Sequence, residues 1–65
     1  MKLHEIPRNT KIRVLENTNA PVGSLQVKEG DVLEFVKIDG IYSICVDGEG
    51  NIFHVSAFTE VEIVQ

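Results

Sequence analysis

At 65 residues the chain has room for one small domain, and such a domain buries only about 60% of the surface its unfolded chain exposes. Ten Asp and Glu against six Lys and Arg leave a formal charge of −4, which repels phosphate backbones and disfavours sequence-independent nucleic-acid binding. A single cysteine, Cys45, excludes an internal disulfide, and dimerisation is one way to supply the missing burial.

No basic leader precedes an apolar core, and no apolar run approaches the roughly 18 residues of a membrane helix. A soluble, unprocessed protein with no membrane partner is expected, by default in the bacterial or phage-infected cytoplasm.

Met1 to Ile6 reads as a lead-in or a brief edge strand. Pro7 holds Ile6 extended, and Arg8-Asn9-Thr10 supplies turn chemistry. Lys11 to Glu16 alternates, with Ile12 and Val14 apolar between Lys11 and Arg13, the period of a half-buried strand. Asn17 to Ser24 is dense in turn formers and predicts a surface loop with Val22 beneath it.

Leu25 to Val27 is expected to re-enter the sheet. The polar turn Lys28-Glu29-Gly30-Asp31 follows, with glycine tolerating positive φ, and then Val32 to Ile38 reads as a central strand. Asp39-Gly40 predicts a type I′ hairpin. In the next strand, Ile41 to Val46, one face holds Tyr42, Ile44 and Val46 and the other Ile41, Ser43 and Cys45.

Asp47-Gly48-Glu49-Gly50-Asn51 makes a second hairpin loop, and Ile52 to Val55 returns. Ser56 to Thr59 reads as a short helical turn with Ser56 as its cap. Glu60 to Val64 closes the sheet with Val61 and Ile63 inward. The sum is all-β: a five- to six-stranded small barrel over residues 1–65, with one helical turn before the last strand.

This order resembles the Src-homology-3-like small barrels. Leu25 to Phe35, LQVKEGDVLEF, is similar to their diverging turn, and the two hairpins and the turn at Ser56-Ala57-Phe58 fall in matching positions. Proline-recognising members hold a polyproline helix between stacked rings, and here the first strand is Ile12-Arg13-Val14-Leu15, no Trp is present, and His54 and Val55 occupy the expected place of the Pro. Proline-peptide binding is therefore not carried over. Gly30-Asp31-Val32 also resembles a step in the barrels of ribosomal and elongation proteins. In its shortness and acidity the chain looks like accessory proteins encoded by bacteriophages.

Candidates for chemistry are few. Catalysis would rest on Cys45 with His4 or His54, and a mid-strand cysteine reads as a small apolar filler. These residues lack the spacing of a zinc site. Asp47, Glu49 and Asn51 lack the full ligand set of a calcium loop and read as a solvated tip, so no metal and no cofactor are expected. Phe35, Tyr42, Phe53 and Phe58 read as core, with Tyr42 the best placed for a surface role through its hydroxyl.

The chain is expected to be a non-catalytic module that docks a protein partner, or itself as a homo-oligomer, through a sheet edge or the loop at 17–24. The alternative is a receptor or sponge for a small nucleotide-type anion, with pockets between subunits; a nucleic-acid module is the third reading. The residues nominated for contact are Arg8, Arg13, Asn17, Asn19, Tyr42 and His54.

Overall fold

The central strand begins where the polar turn ends. Gly30 takes a φ of 93°, a region open to glycine, while the Lys28 amide donates to Asp31 Oδ2 and the Asp31 amide donates to the Lys28 carbonyl. This tight reversal aims β2 (Val32–Asp39) across the molecule. The computed structural model describes residues 1–18 and 25–65. Around β2 stand β1 (Thr10–Val14), β3 (Tyr42–Val46), β4 (Ile52–Ser56) and β5 (Val61–Ile63).

All pairings are antiparallel, and the strand order is β4-β3-β2-β1-β5. The fold is all-β in one five-stranded sheet that leaves β4 and β5 as two unjoined edges. The core lies on one side, built from Ile12, Val14, Leu33, Phe35, Cys45, Val55 and Val61, with Leu3, Ile6 and Val27 closing over it.

Packing volume decides which face of β3 turns inward. Cys45 pairs with Phe35 on one side and Phe53 on the other, so a small side chain separates two rings. Ser43, also buried, satisfies its hydroxyl by donating to the Val55 carbonyl at 2.9 Å. Tyr42, Ile44 and Val46, the bulkier set, are left half-buried on the outer face.

A bulge keeps β2 consistent with that choice. Glu34 and Lys37 are an odd number of residues apart, so strict alternation would drive one of them inward. Between Phe35 and Lys37 the register shifts by one, placing Lys37 opposite outward-facing Ile44.

Several expectations are corrected. Residues 25–27 form no strand; the Thr18 amide donates to the Val27 carbonyl, and Val27 is buried. The first hairpin is not type I′. Asp39 is the last residue of β2 and pairs with Tyr42, so the loop is Gly40-Ile41 with positive φ at Gly40 alone, the requirement of a type II′ turn.

Ser56 to Thr59 is a single hydrogen-bonded turn rather than a helix. Ser56 does cap it, its Oγ accepting from the Phe58 amide while its carbonyl accepts from Thr59. Phe58 is 61% exposed and Ile63 41%, so neither belongs to the core. The interior position of that turn goes to Ala57 instead. The expected loop at 17–24, with Val22 and Asn19, falls mostly outside the described residues.

The lead-in does more structural work than its composition suggests. Leu3–Glu5 is a 3-10 turn, opened by Lys2 and Glu5, whose side chain accepts from the Lys2 amide. The Leu3 and His4 amides donate to the Thr59 and Ala57 carbonyls, and Met1 exchanges two hydrogen bonds with Val61. This arm lies along the outer side of β5.

Candidate functional site

The two edges of the sheet are finished differently, and the contrast locates the candidate site. On β5 the N-terminal arm occupies Val61. The Met1 ammonium and Lys2 Nζ both reach Glu60, at 3.1 and 3.0 Å, and Glu62 pairs with Arg13 at 2.6 Å. The Lys2 ammonium and the chain's own amino group hold the Glu60 carboxyl below the usual carboxylate range, and Glu60 in turn raises Lys2. A short strand, a charged rim and a covering segment are the devices that discourage edge pairing.

Among the described residues none of these is present on β4. Its sequence, Ile52-Phe53-His54-Val55-Ser56, contains no Lys, Arg, Asp, Glu, Gly or Pro, and its register with β3 runs unbroken from Tyr42–Ser56 to Val46–Ile52. Ladder parity follows from the ends. The Asp47 amide donates to the Asn51 carbonyl and the Ala57 amide to the Ile41 carbonyl, so Phe53 and Val55 bond to β3. The N–H and C=O of Ile52 and His54, and the N–H of Ser56, point off the edge.

The surroundings of this edge are apolar. Ile52 is 56% exposed, and Phe53 is half-buried against the core. Across the outer face, Ile52 lies opposite Val46, and His54 opposite Ile44 with Lys37 next in the row. At the far end Ser56 borders a groove of about 350 Å³ formed with Glu16, Asn17, Thr18, Phe58 and Thr59. Phe58 forms one wall, edge-on to the His4 ring at 5.6 Å.

The nominated residues do not gather into one site. His54 is at the middle of the open edge and Tyr42 is half-buried at the end of the neighbouring strand, opposite Ser56. Asn17 lines the groove, but its Oδ1 already accepts from the Glu29 amide at 2.9 Å, which ties the loop to the polar turn. Arg13 is engaged with Glu62. It sits opposite Val32 at the start of β2, whereas Tyr42 sits opposite Asp39 at its end, so a single chain does not bring them to one pocket. Arg8 is exposed in the turn before β1, and Asn19 lies outside the described residues.

Two other polar features have local structural roles. Asp47 accepts from the Glu49 and Asn51 amides and from Asn51 Nδ2, which fixes the second hairpin and, led by the Asn51 side-chain bond, lowers the Asp47 carboxyl. Cys45 is fully buried, and burial pushes its thiol up, away from the reactive thiolate. The edge of β4 was missed as a particular site because openness is a property of strand order. Its charge-free sequence was the available signal.

Comparison of the chain with protein-family models, curated proteins and solved structures finds no match.

Proposed function

We propose that this chain is a non-catalytic binding module that docks an extended segment of a protein partner along the outer edge of β4. The observation that carries the reading is the uncharged, unbulged strand Ile52–Ser56, with backbone donors and acceptors directed away from the sheet. Strand addition draws affinity from the main chain and needs no special side-chain motif. Apolar Ile52 and Phe53 beside the edge, and the groove past Ser56, offer contact to alternate side chains of the docked segment.

The architecture is read as Src-homology-3-like. Support comes from the order β4-β3-β2-β1-β5, the diverging turn at 28–31 and the capped turn before β5. A cytoplasmic setting, bacterial or phage-infected, fits a lone reduced cysteine.

A selection of displayed peptides against the protein tests the reading. Extended peptides are expected to bind, and His54→Pro, which removes an N–H that β3 does not use, is expected to abolish binding while the protein stays folded. Peptides that bind this variant as well as they bind the parent, or no selected binder at all, would sink the proposal.

A further inference from the structure

We infer that the occupant of the β4 edge is a second copy of this chain, paired β4 to β4 in antiparallel sense about a twofold axis at His54. The inference rests on the edge-docking reading above and adds the identity of the partner.

Register is the first argument. An antiparallel self-pairing centres either on a residue whose N–H and C=O point off the edge, Ile52 or His54 on β4, or on one turned toward β3, Phe53 or Val55. Centring on Phe53 or Val55 leaves part of the strand opposite the second hairpin or the capped turn. Centring on Ile52 would run Ser56 past the hairpin glycines, Gly48 and Gly50, where there is no strand to meet. His54 is the midpoint of Ile52–Ser56, so centring there pairs the whole strand.

Self-complementarity is the second. With His54 against its own counterpart, Ile52 falls opposite Ser56 on the outer face and Phe53 opposite Val55 on the inner face. Each off-centre row sets a larger side chain beside a smaller one, and no row contains an Asp, Glu, Lys or Arg. A chain of formal charge −4 repels its copy at long range, so the absence of charge along this one edge is what permits approach.

The size of the contact sets its strength. Two five-residue strands and their flanking side chains fall short of the roughly 1,200–2,000 Å² of a standard stable interface, so the dimer forms with rising concentration rather than being obligate. Because net repulsion opposes it and salt screens that repulsion beyond about 8 Å at physiological strength, added salt tightens it.

The experiment is sedimentation over a concentration series, with amide spectra recorded alongside. The parent chain is expected to dimerise reversibly, more strongly in salt, with concentration-dependent shifts at the Ile52, His54 and Ser56 amides and little change at Phe53 and Val55. His54→Lys and His54→Glu set like charges face to face, and each alone is expected to weaken association about tenfold or more. An equimolar mixture of the two is expected to restore it.

A parent chain that stays monomeric at millimolar concentration would overturn the inference, and so would variants that associate as the parent does. Should a variant fail to fold, the amide shifts of the parent still decide. If self-association is absent while displayed peptides bind and His54→Pro abolishes their binding, the edge-docking reading stands with a different occupant. If both fail, the edge reading falls as well.

Discussion

Leu3 is the residue through which the N-terminal arm can be tested as part of the fold. It is fully buried, although it belongs to a three-residue 3-10 turn rather than to a strand. Leu→Ala at such a site costs about 2–5 kcal/mol, combining the lost transfer energy with the cavity left behind. A domain of this size has about 3–10 kcal/mol in total, so the substitution removes a large share of it. A loss of about 3 kcal/mol corresponds to a fall in Tm of about 12–24 °C.

An upper limit follows from the arm's position. Leu3 is held by the bond from its amide to Thr59, and its neighbours bond Ala57 and Val61, so the arm could peel away while the five strands remain. The cost of Leu3→Ala then stops at the free energy of docking the arm. Denaturant unfolding and amide exchange separate the cases: in Leu3→Ala the Leu3, His4 and Val61 amides should exchange faster than those of β2 and β3. Leu3→Met, which conserves volume, should cost less than about 1.5 kcal/mol. A fall in Tm under about 4 °C, with Val61 protection unchanged, would refute the claim that the arm closes the core.

The ion pairs of the arm give a pH prediction. Glu60 is depressed in the folded state, so its contribution is present above the ordinary carboxylate value and lost as pH falls through the folded one; Lys2 is raised, so its contribution is present below the ordinary lysine value and lost as pH rises through the folded one. Leu3 and His4 amide protection, corrected for the intrinsic pH dependence of exchange, should therefore fall toward both extremes and in high salt, and Glu60→Gln should flatten the acid limb; protection constant with pH in the parent would contradict it. Ser43→Ala should destabilise by about 0.5–1.5 kcal/mol by removing the hydroxyl bond to the Val55 carbonyl, which keeps its ladder bond to β3, as read from thermal melts. Cys45 should react with thiol reagents only as fast as the chain opens, and labelling at the rate of an exposed cysteine would show that it is not buried. Asp47→Ala should loosen the second hairpin, with faster Glu49 and Asn51 exchange as its sign.

Local chemistry made the turns readable. Lys28 to Asp31 and Asp47 to Asn51 are closed by their own side chains, so their residues carry most of the information. Central placement of Val32 to Ile38 was legible for a related reason: only a strand covered by neighbours on both sides tolerates so long a β-branched run. Residues 25–27 misled because apolar, β-prone composition does not supply a pairing partner. Phe58 and Ile63 misled because hydrophobicity does not say which of several apolar side chains wins a small interior, and Ala57 and Leu3 took that space. The candidate edge was hardest to see, since no residue of β4 reveals by itself that the strand ends the sheet among the described residues.

The outer face of β3 connects the packing of the core to the proposed role. A sheet covered on one side usually turns its larger apolar residues inward, yet β3 buries Ser43 and Cys45 and leaves Tyr42, Ile44 and Val46 half-exposed. Phe35 and Phe53 flank Cys45, so a larger residue there would overpack the row, and the inward choice is fixed by volume. The outward apolar residues lie outside the buried cluster, and polar substitutes at these half-buried positions would keep the same register. Their position beside the open strand, with Ile44 opposite His54 and Val46 opposite Ile52, gives them a use: they support one side of the edge on which a second strand is proposed to lie. Replacing Ile44 by Thr should thus leave Tm nearly unchanged and weaken association, whereas a change that acted through the core would lower both together.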